Sequence, residues 1–171
     1  MTTALITGAS SGIGLEIARI LAPHHDLVLV ARSAAKLDAL AAELGNARVI
    51  AADLSDASAV AKITAEIGDV DVLVNNAGVG DFGAFAEADT ERTLAMIQLN
   101  ITSLTALTRA YLPGMLARGS GRVMNVASTA SFQPGPLMAV YYATKAYVLS
   151  FSEALTEETR GSGVTVTALC P

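Results

Sequence analysis

The strongest constraint on this chain is an alternation. Six short, near-continuous apolar runs, at residues 4–7, 26–31, 47–52, 70–75, 121–127 and 164–169, are separated by longer stretches rich in Ala and Leu. Continuous apolar runs, as opposed to strict apolar/polar alternation, mark strands covered on both faces. The intervening stretches read as helices. Residues 13–21 stop before Pro23, and 34–44 carry Ser33 as an N-cap and Gly45 just past the end. Residues 56–67 open on an acidic cap at Asp56 and close at Gly68. Residues 90–118 are long enough for two helices, with a break near Asn100 and a kink or end at Pro113. Residues 140–159 form the last. Strand and helix alternating six times predict parallel strands joined by right-handed crossovers. The expected fold is α/β, a Rossmann-like doubly wound parallel sheet of six strands, in one domain over residues 1–171.

Composition narrows the setting. Apolar residues make up 52% of the 171 and charged residues 16%, a balance that excludes disorder. Mean hydropathy of +0.48 raises the question of a membrane span, but every apolar run falls far short of the ~20 residues one needs. Met1-Thr2-Thr3-Ala4 lacks the charged start of a signal peptide. A net charge of −5 without a basic block argues against nucleic acid as a partner. Cys170 is the sole cysteine, so no internal disulfide forms, and a reducing, cytoplasmic location is expected. His24 and His25 are adjacent, have no partner at metal-ligand spacing, and read as solvated; no metal is expected.

Between the first strand and the first helix lies Thr7-Gly8-Ala9-Ser10-Ser11-Gly12-Ile13-Gly14. A helix N-terminus offers free N–H groups and partial positive charge to a phosphate, and glycines let backbone approach the anion. Gly8, Ser10, Ser11, Gly12, Ile13 and Gly14 are therefore cofactor-contact candidates. The spacing G-x-x-x-G-x-G is neither the common G-x-G-x-x-G nor a P-loop; by itself it also suits a turn that binds nothing. The second strand ends at Val30-Ala31-Arg32, with an arginine where NAD-binding versions place an acid. A guanidinium there pairs with a ribose 2′-phosphate, so NADP(H) is the expected cofactor, NAD(H) remaining open. The plainer reading of Arg32 is a solvated surface charge. Asp53, followed by Leu54, sits where it can accept from an adenine amino group or cap the next helix. Asn76, Ala77 and Gly78 end the fourth strand with small residues that let a flat cofactor lie close, their amides bridging neighbouring strands; a plain turn is the alternative.

Ser128 ends the fifth strand, and Tyr141 and Lys145 share a face of the last helix four residues apart. Carbonyl chemistry needs a proton donor and acceptor near neutral pH, for which an unperturbed phenol is poorly suited. A lysine cation about 5 Å from a phenol, at an effective dielectric of ~20, stabilises the phenolate by roughly 3 kcal/mol. A serine hydroxyl can hold the substrate oxygen. Taken singly, the Tyr/Lys pair suits a surface helix face and the serine suits a turn. Tyr142, only three residues before Lys145, points about 100° away from Tyr141 around the helix.

The glycine loop, Asn75-Asn76-Ala77-Gly78, Asn100, Ser128, Tyr141-Tyr142-Ala143-Thr144-Lys145 and terminal Pro171 together resemble a short-chain dehydrogenase/reductase over the whole chain. The resemblance implies hydride transfer between the nicotinamide and a carbonyl or alcohol carbon of a small-molecule substrate. It implies Tyr141 as general acid/base, and Lys145 as its modulator and ribose ligand. Ser128 would position the substrate oxygen, and Asn100 would hold a water linking Lys145 to solvent. Helices around residues 104–116 and 142–156 are those that assemble such proteins into homodimers or homotetramers. The family is usually longer, with a seventh strand and a substrate-covering segment, so the chain reads as truncated at its C-terminus and weak in turnover by itself. A catalytically silent nucleotide-binding or structural protein on the same fold is the rival reading. An extended-branch sugar-nucleotide epimerase also carries Tyr-x-x-x-Lys but fits the loop spacing less well.

Overall fold

Apolar runs flanked by turn residues do form six strands in the computed structural model, which describes residues 2–171. The order is β1 (Thr2–Thr7), α1 (Gly12–Leu21), β2 (His25–Ala31), α2 (Ala34–Leu44), β3 (Ala47–Ala51), α3 (Ala59–Glu66) and β4 (Val72–Asn75). There follow α4 (Thr90–Ile97), α5 (Leu104–Ala117), β5 (Gly121–Val126), α6 (Ala139–Glu158) and β6 (Val164–Leu169). All neighbours pair in parallel, in the order β3-β2-β1-β4-β5-β6.

The central strands β1, β2 and β4 are mostly apolar because each face has its own core, whereas β6, at the sheet edge, alternates and leaves Thr165 and Thr167 exposed, so it is covered on one face only. Leu5, Val28, Val30, Leu73 and Val123 face Ile63 of α3, Leu107 and Met115 of α5, and Leu155 of α6. The alternate residues Ala4, Ile6, Leu27, Leu29 and Val74 face Ala18 of α1 and Leu37 and Leu40 of α2. Ile6, Leu29 and Leu73 are fully buried, each worth about 2 kcal/mol of apolar transfer. A polar seam crosses the first layer. Asn75 Nδ2 donates to Asn125 Oδ1 (2.9 Å) and Thr108 Oγ1 (3.0 Å), and Asn125 Nδ2 donates to Ser152 Oγ (2.9 Å). It fixes β4 and β5 against α5 and α6, the helices that frame the site.

Several local expectations need correction. No break occurs at Asn100: a π-helical stretch, Gln98–Ser103, carries α4 into α5 continuously. Pro113 does not end a helix but lies inside α5; Arg109, whose carbonyl loses its partner, is exposed to water. α3 starts at Ala59 because Asp56 spends its carboxylate on the Ser58 N–H (2.8 Å) in a separate turn. Ser33 holds the N-cap position of α2 without a side-chain capping bond, while Gly45 closes that helix at φ +75° as a left-handed cap. His25 is not free in a turn: it opens β2 and its Nδ1 lies 2.7 Å from Thr2 Oγ1.

Strand order reverses between β1 and β4, with β2 on one side and β5 on the other. Loops leaving the carboxyl ends there part to either side, and a crevice opens between them.

Candidate active site

That crevice is a cleft of about 880 Å³ running along the carboxyl rim from Arg32 to Tyr141. Its floor is the turn after β1. Gly8 (φ +68°) and Gly12 (φ +55°) take left-handed conformations that side chains disfavour. The Gly8 and Ala9 N–H groups donate to the Val30 carbonyl, at 2.8 and 3.3 Å. Gly14 is buried, and a Cβ there would lie 2.5 Å from the Gly8 carbonyl oxygen. Gly8, Ser10, Ser11 and Ile13 line the cleft, whereas Gly12 and Gly14 shape the turn without lining it.

Asn76 faces this turn from β4. Its Nδ2 donates to the Thr7 (2.9 Å) and Gly8 (3.3 Å) carbonyls. Thr7 Oγ1 in return accepts from the Asn76 (2.9 Å) and Ala77 (3.0 Å) N–H groups. Asn76 thus clamps two strand ends together, and Ala77 and Gly78 beside it line the cleft. Gly78 separates two polar groups: a Cβ there would meet Asn100 Oδ1 at 3.3 Å and Lys145 Nζ at 3.4 Å.

At the far end Arg32, just past β2, lines the cleft with Ser33, Lys36, Asp53 and Leu54. Asp53 Oδ1 accepts from the Ser55 N–H (2.9 Å) and hydroxyl (2.7 Å), so the carboxylate closes its own turn and caps no helix. Those bonds, chiefly the hydroxyl's, hold its pKa below the usual carboxylate value, and Arg32 adds to the effect.

At the other end Ser128, Tyr141 and Lys145 line one wall together. The Tyr141 ring abuts Gly80, where a Cβ would stand 3.2 Å from the ring and 3.5 Å from Met138 Cε. Its edge meets Tyr142, with ring centres 6.1 Å apart. Lys145 is buried, donates to the Val126 carbonyl (2.7 Å), and lies 5.9 Å from the Tyr141 ring centre. Loss of hydration on burial pulls its pKa down to about 8. Ser128 Oγ accepts from the Ala130 N–H (3.2 Å), which leaves its proton available to a ligand.

Asn100 is 2% exposed, in the π-helical stretch. Its Oδ1 accepts from the Val79 N–H (3.0 Å), and its Nδ2 donates to the Val79 carbonyl (2.8 Å) and to Thr144 Oγ1 (3.0 Å). The side-chain amide therefore braces three elements with protein partners. Insertions of this kind recur at functional sites.

Sequence reading passed over Lys36 and Thr144. Lys36 lies in the first turn of α2, close behind Arg32 in the chain, and that nearness of two cations just after β2 is the signal that could have found it. Thr144 precedes Lys145, is 1% exposed, and donates to the Tyr141 carbonyl (2.7 Å) while accepting from Asn100. Among the described residues no group of three or more His, Cys, Asp and Glu side chains is placed to hold a metal ion.

The sequence model of the short chain dehydrogenases matches residues 2–171. The chain belongs to the short-chain dehydrogenase family. Its relatives include the ketoacyl reductase HetN of a Nostoc species, 36% identical over 99% of this chain and 62% of that protein. A bulky-bulky ketone specific alcohol dehydrogenase from Comamonas testosteroni superposes with a TM-score of 0.94 at 37% identity, over 100% of this chain and 72% of that one. A short-chain dehydrogenase from Sphingobium yanoikuyae in complex with NADPH gives 0.94 at 40% identity, over 100% and 70%. The chain thus spans about two thirds of the length of these family members. The parallel sheet and flanking helices are those of a short-chain dehydrogenase.

Proposed function

We propose that this chain carries the cofactor-binding and catalytic residues of an NADP(H)-dependent carbonyl reductase or alcohol dehydrogenase. The observation that carries the reading is the convergence of Ser128, Tyr141 and Lys145 at one end of a cleft whose other end holds Arg32 and Lys36. The cleft fits a dinucleotide: Ser11 and Ile13 at the N-terminus of α1 line it, and Gly8, Ala77 and Gly78 line it with little or no side chain. A bound nicotinamide supplies or accepts the hydride. Gly8, Ser10, Ser11 and Ile13 meet the pyrophosphate, with Gly12 and Gly14 shaping their turn. Asp53 and Leu54 would hold the adenine, Asn76, Ala77 and Gly78 the nicotinamide ribose, and Arg32 with Lys36 the 2′-phosphate.

In reduction Ser128 donates a hydrogen bond to the substrate oxygen and Tyr141 delivers the proton that completes the alcohol. In oxidation Tyr141 takes that proton back. Lys145, held by the Val126 carbonyl, keeps a positive charge 5.9 Å from the centre of the Tyr141 ring and would also meet the ribose. Asn100 acts as a positioning residue, through its bonds to Val79 and Thr144. Helices α5 and α6 present Tyr147 stacked on Phe151 (5.7 Å) and bonded to Thr105 Oγ1 (2.9 Å), a face suited to a homodimer or homotetramer. No helix of the described residues is long and apolar enough to cross a membrane, and the cytoplasm is the proposed setting.

The test is titration with NADPH and NADH by nucleotide fluorescence, then turnover on a carbonyl panel. Tyr141→Phe is expected to retain cofactor binding and to lose turnover by about 10²-fold or more. Nucleotide binding by the full-length protein without turnover of any carbonyl would instead make it a silent binder.

A further inference from the structure

Beyond Tyr141 a second cavity of about 320 Å³ opens, sharing Asp81, Phe82, Met138 and Tyr141 with the cleft. None of the residues at the Arg32 end lines it. We infer that this cavity seats the non-reacting substituent of the substrate and selects neutral ketones with an apolar arm over free keto acids. The inference rests on carbonyl chemistry at Tyr141 and adds the class of substrate.

Position is the first ground. A carbonyl oxygen held by Tyr141 and Ser128 leaves two substituents, and this cavity is the space next to the Tyr141 ring into which one can extend. Wall chemistry is the second. Phe82, Phe85, Met96, Leu137 and Met138 contribute apolar surface, and Phe82 and Phe85 stand 72% and 67% exposed. A seated apolar arm covers that surface.

The wall is also built in advance. Leu137 holds φ +64°, the only positive value at a non-glycine among the described residues, a conformation that bulky side chains pay for in strain. The Gly83 N–H, donating to the Leu137 carbonyl at 2.8 Å, ties it to the facing segment. Gly135 lies so close to the Tyr142 ring that no Cβ fits between them. Such strain persists only where surroundings impose it, and here it sets Leu137 as a cavity wall.

Charge is the third ground. Asp81, Glu87 and Asp89 line the cavity against one cation, Arg92. That cation is engaged: its guanidinium pairs with Asp81 (3.0 Å). A substrate carboxylate would have to displace Asp81 while facing two further acids, whereas an ester of the same acid meets no such penalty.

The experiment compares ethyl acetoacetate with acetoacetate, molecules that share the ketone and differ in the carboxyl charge. With NADPH present, kcat/KM for the ester is expected to exceed that for the acid by about tenfold or more, the ratio shrinking as salt is raised. Glu87→Lys, a change at an exposed position, is expected to narrow the ratio by raising the acid's kcat/KM. Ligand-observed NMR on the NADP-bound protein supplies a readout without turnover: the ester binds and the acid does not. Equal use or equal binding of the two overturns the inference, as does a ratio that Glu87→Lys leaves unmoved. Failure of the catalytic reading looks different: Tyr141→Phe would then reduce both molecules as fast as the parent, whatever their ratio.

Discussion

Lys145 is anchored to the sheet and not to its helical neighbour: Nζ donates to the Val126 carbonyl at 2.7 Å and stands 5.9 Å from the centre of the Tyr141 ring. The pair four residues apart on α6 is therefore a fixed arrangement, with the ammonium held under the ring by β5. Holding it there means burying a charge.

That burial gives the first prediction. The pKa of Lys145 falls from 10.5 to about 8 on folding, so the unfolded chain binds this proton more tightly than the native one. Stability then rises with pH between about 8 and 10.5, and the full penalty, on the order of 3 kcal/mol at most, applies below that window. Lys145→Met is expected to be more stable than the parent at pH 7, with the difference narrowing by pH 10. Urea unfolding of both proteins at the two pH values measures it; a difference that does not change with pH contradicts the account.

The glycine turn gives the second. Gly14→Ala places a Cβ against backbone, 2.5 Å from the Gly8 carbonyl oxygen, and also against the Asn76 amide that clamps the turn. Something must shift, at a cost of roughly 1–3 kcal/mol, and nucleotide affinity is expected to fall with it. Gly12→Ala meets no atom and carries only the strain of φ +55°, about 1–2 kcal/mol. Thermal unfolding and NADPH titration of the two variants are expected to separate them, Gly14→Ala losing more affinity.

These residues show how far sequence carries. Continuous apolar runs such as 27–31 announced strands with two covered faces, and the cores around Leu5 and Ile6 supply the covers. The strand ends carrying Ser128 and Asn76 could be placed because parallel topology puts them on one rim. What stayed hidden depends on contacts that spacing does not encode. The π-helical insertion at Asn100 arises where its amide reaches Val79 and Thr144, partners distant in sequence, and so the segment read as a break. Pro113 read as a kink or an end, and it is the end that fails, because local propensity ignores the packing of Tyr111 and Met115 that holds α5 together. Asp53 read as an adenine ligand or a helix cap, and it is the cap that the fold replaces, with a turn closed on Ser55.

Tyr111 gives the third prediction. Its hydroxyl is buried in the core of α3, α5 and the sheet without a hydrogen-bond partner, and burial pushes its pKa up to about 12. An unpaired polar group there costs free energy that Phe avoids while keeping the ring. Tyr111→Phe is expected to raise stability by about 1 kcal/mol, read as a higher urea midpoint at unchanged slope. A loss of stability would mean that the hydroxyl has found a partner, such as a buried water.

The last prediction concerns the choice of cofactor at the other end of the cleft. Arg32 and Lys36 line it together, and no carboxylate follows β2. Asp53 is near enough to Arg32 to feel its charge, but the Ser55 bonds hold that carboxylate in its own turn, so the guanidinium is left to a 2′-phosphate. A charge-assisted hydrogen bond contributes about 1.5–3 kcal/mol. Arg32→Ala is therefore expected to weaken NADPH binding by about tenfold or more and to leave NADH binding nearly unchanged. Lys36→Ala does the same to a smaller degree, since a flexible ammonium makes no paired bond. Arg32→Asp is expected to invert the preference, because its carboxylate repels the phosphate and accepts from a ribose hydroxyl. Fluorescence titration of each variant with both nucleotides, at low and at high salt, decides the matter. A ratio of NADPH to NADH affinity that Arg32→Ala leaves where it was would remove the arginine from the cofactor site.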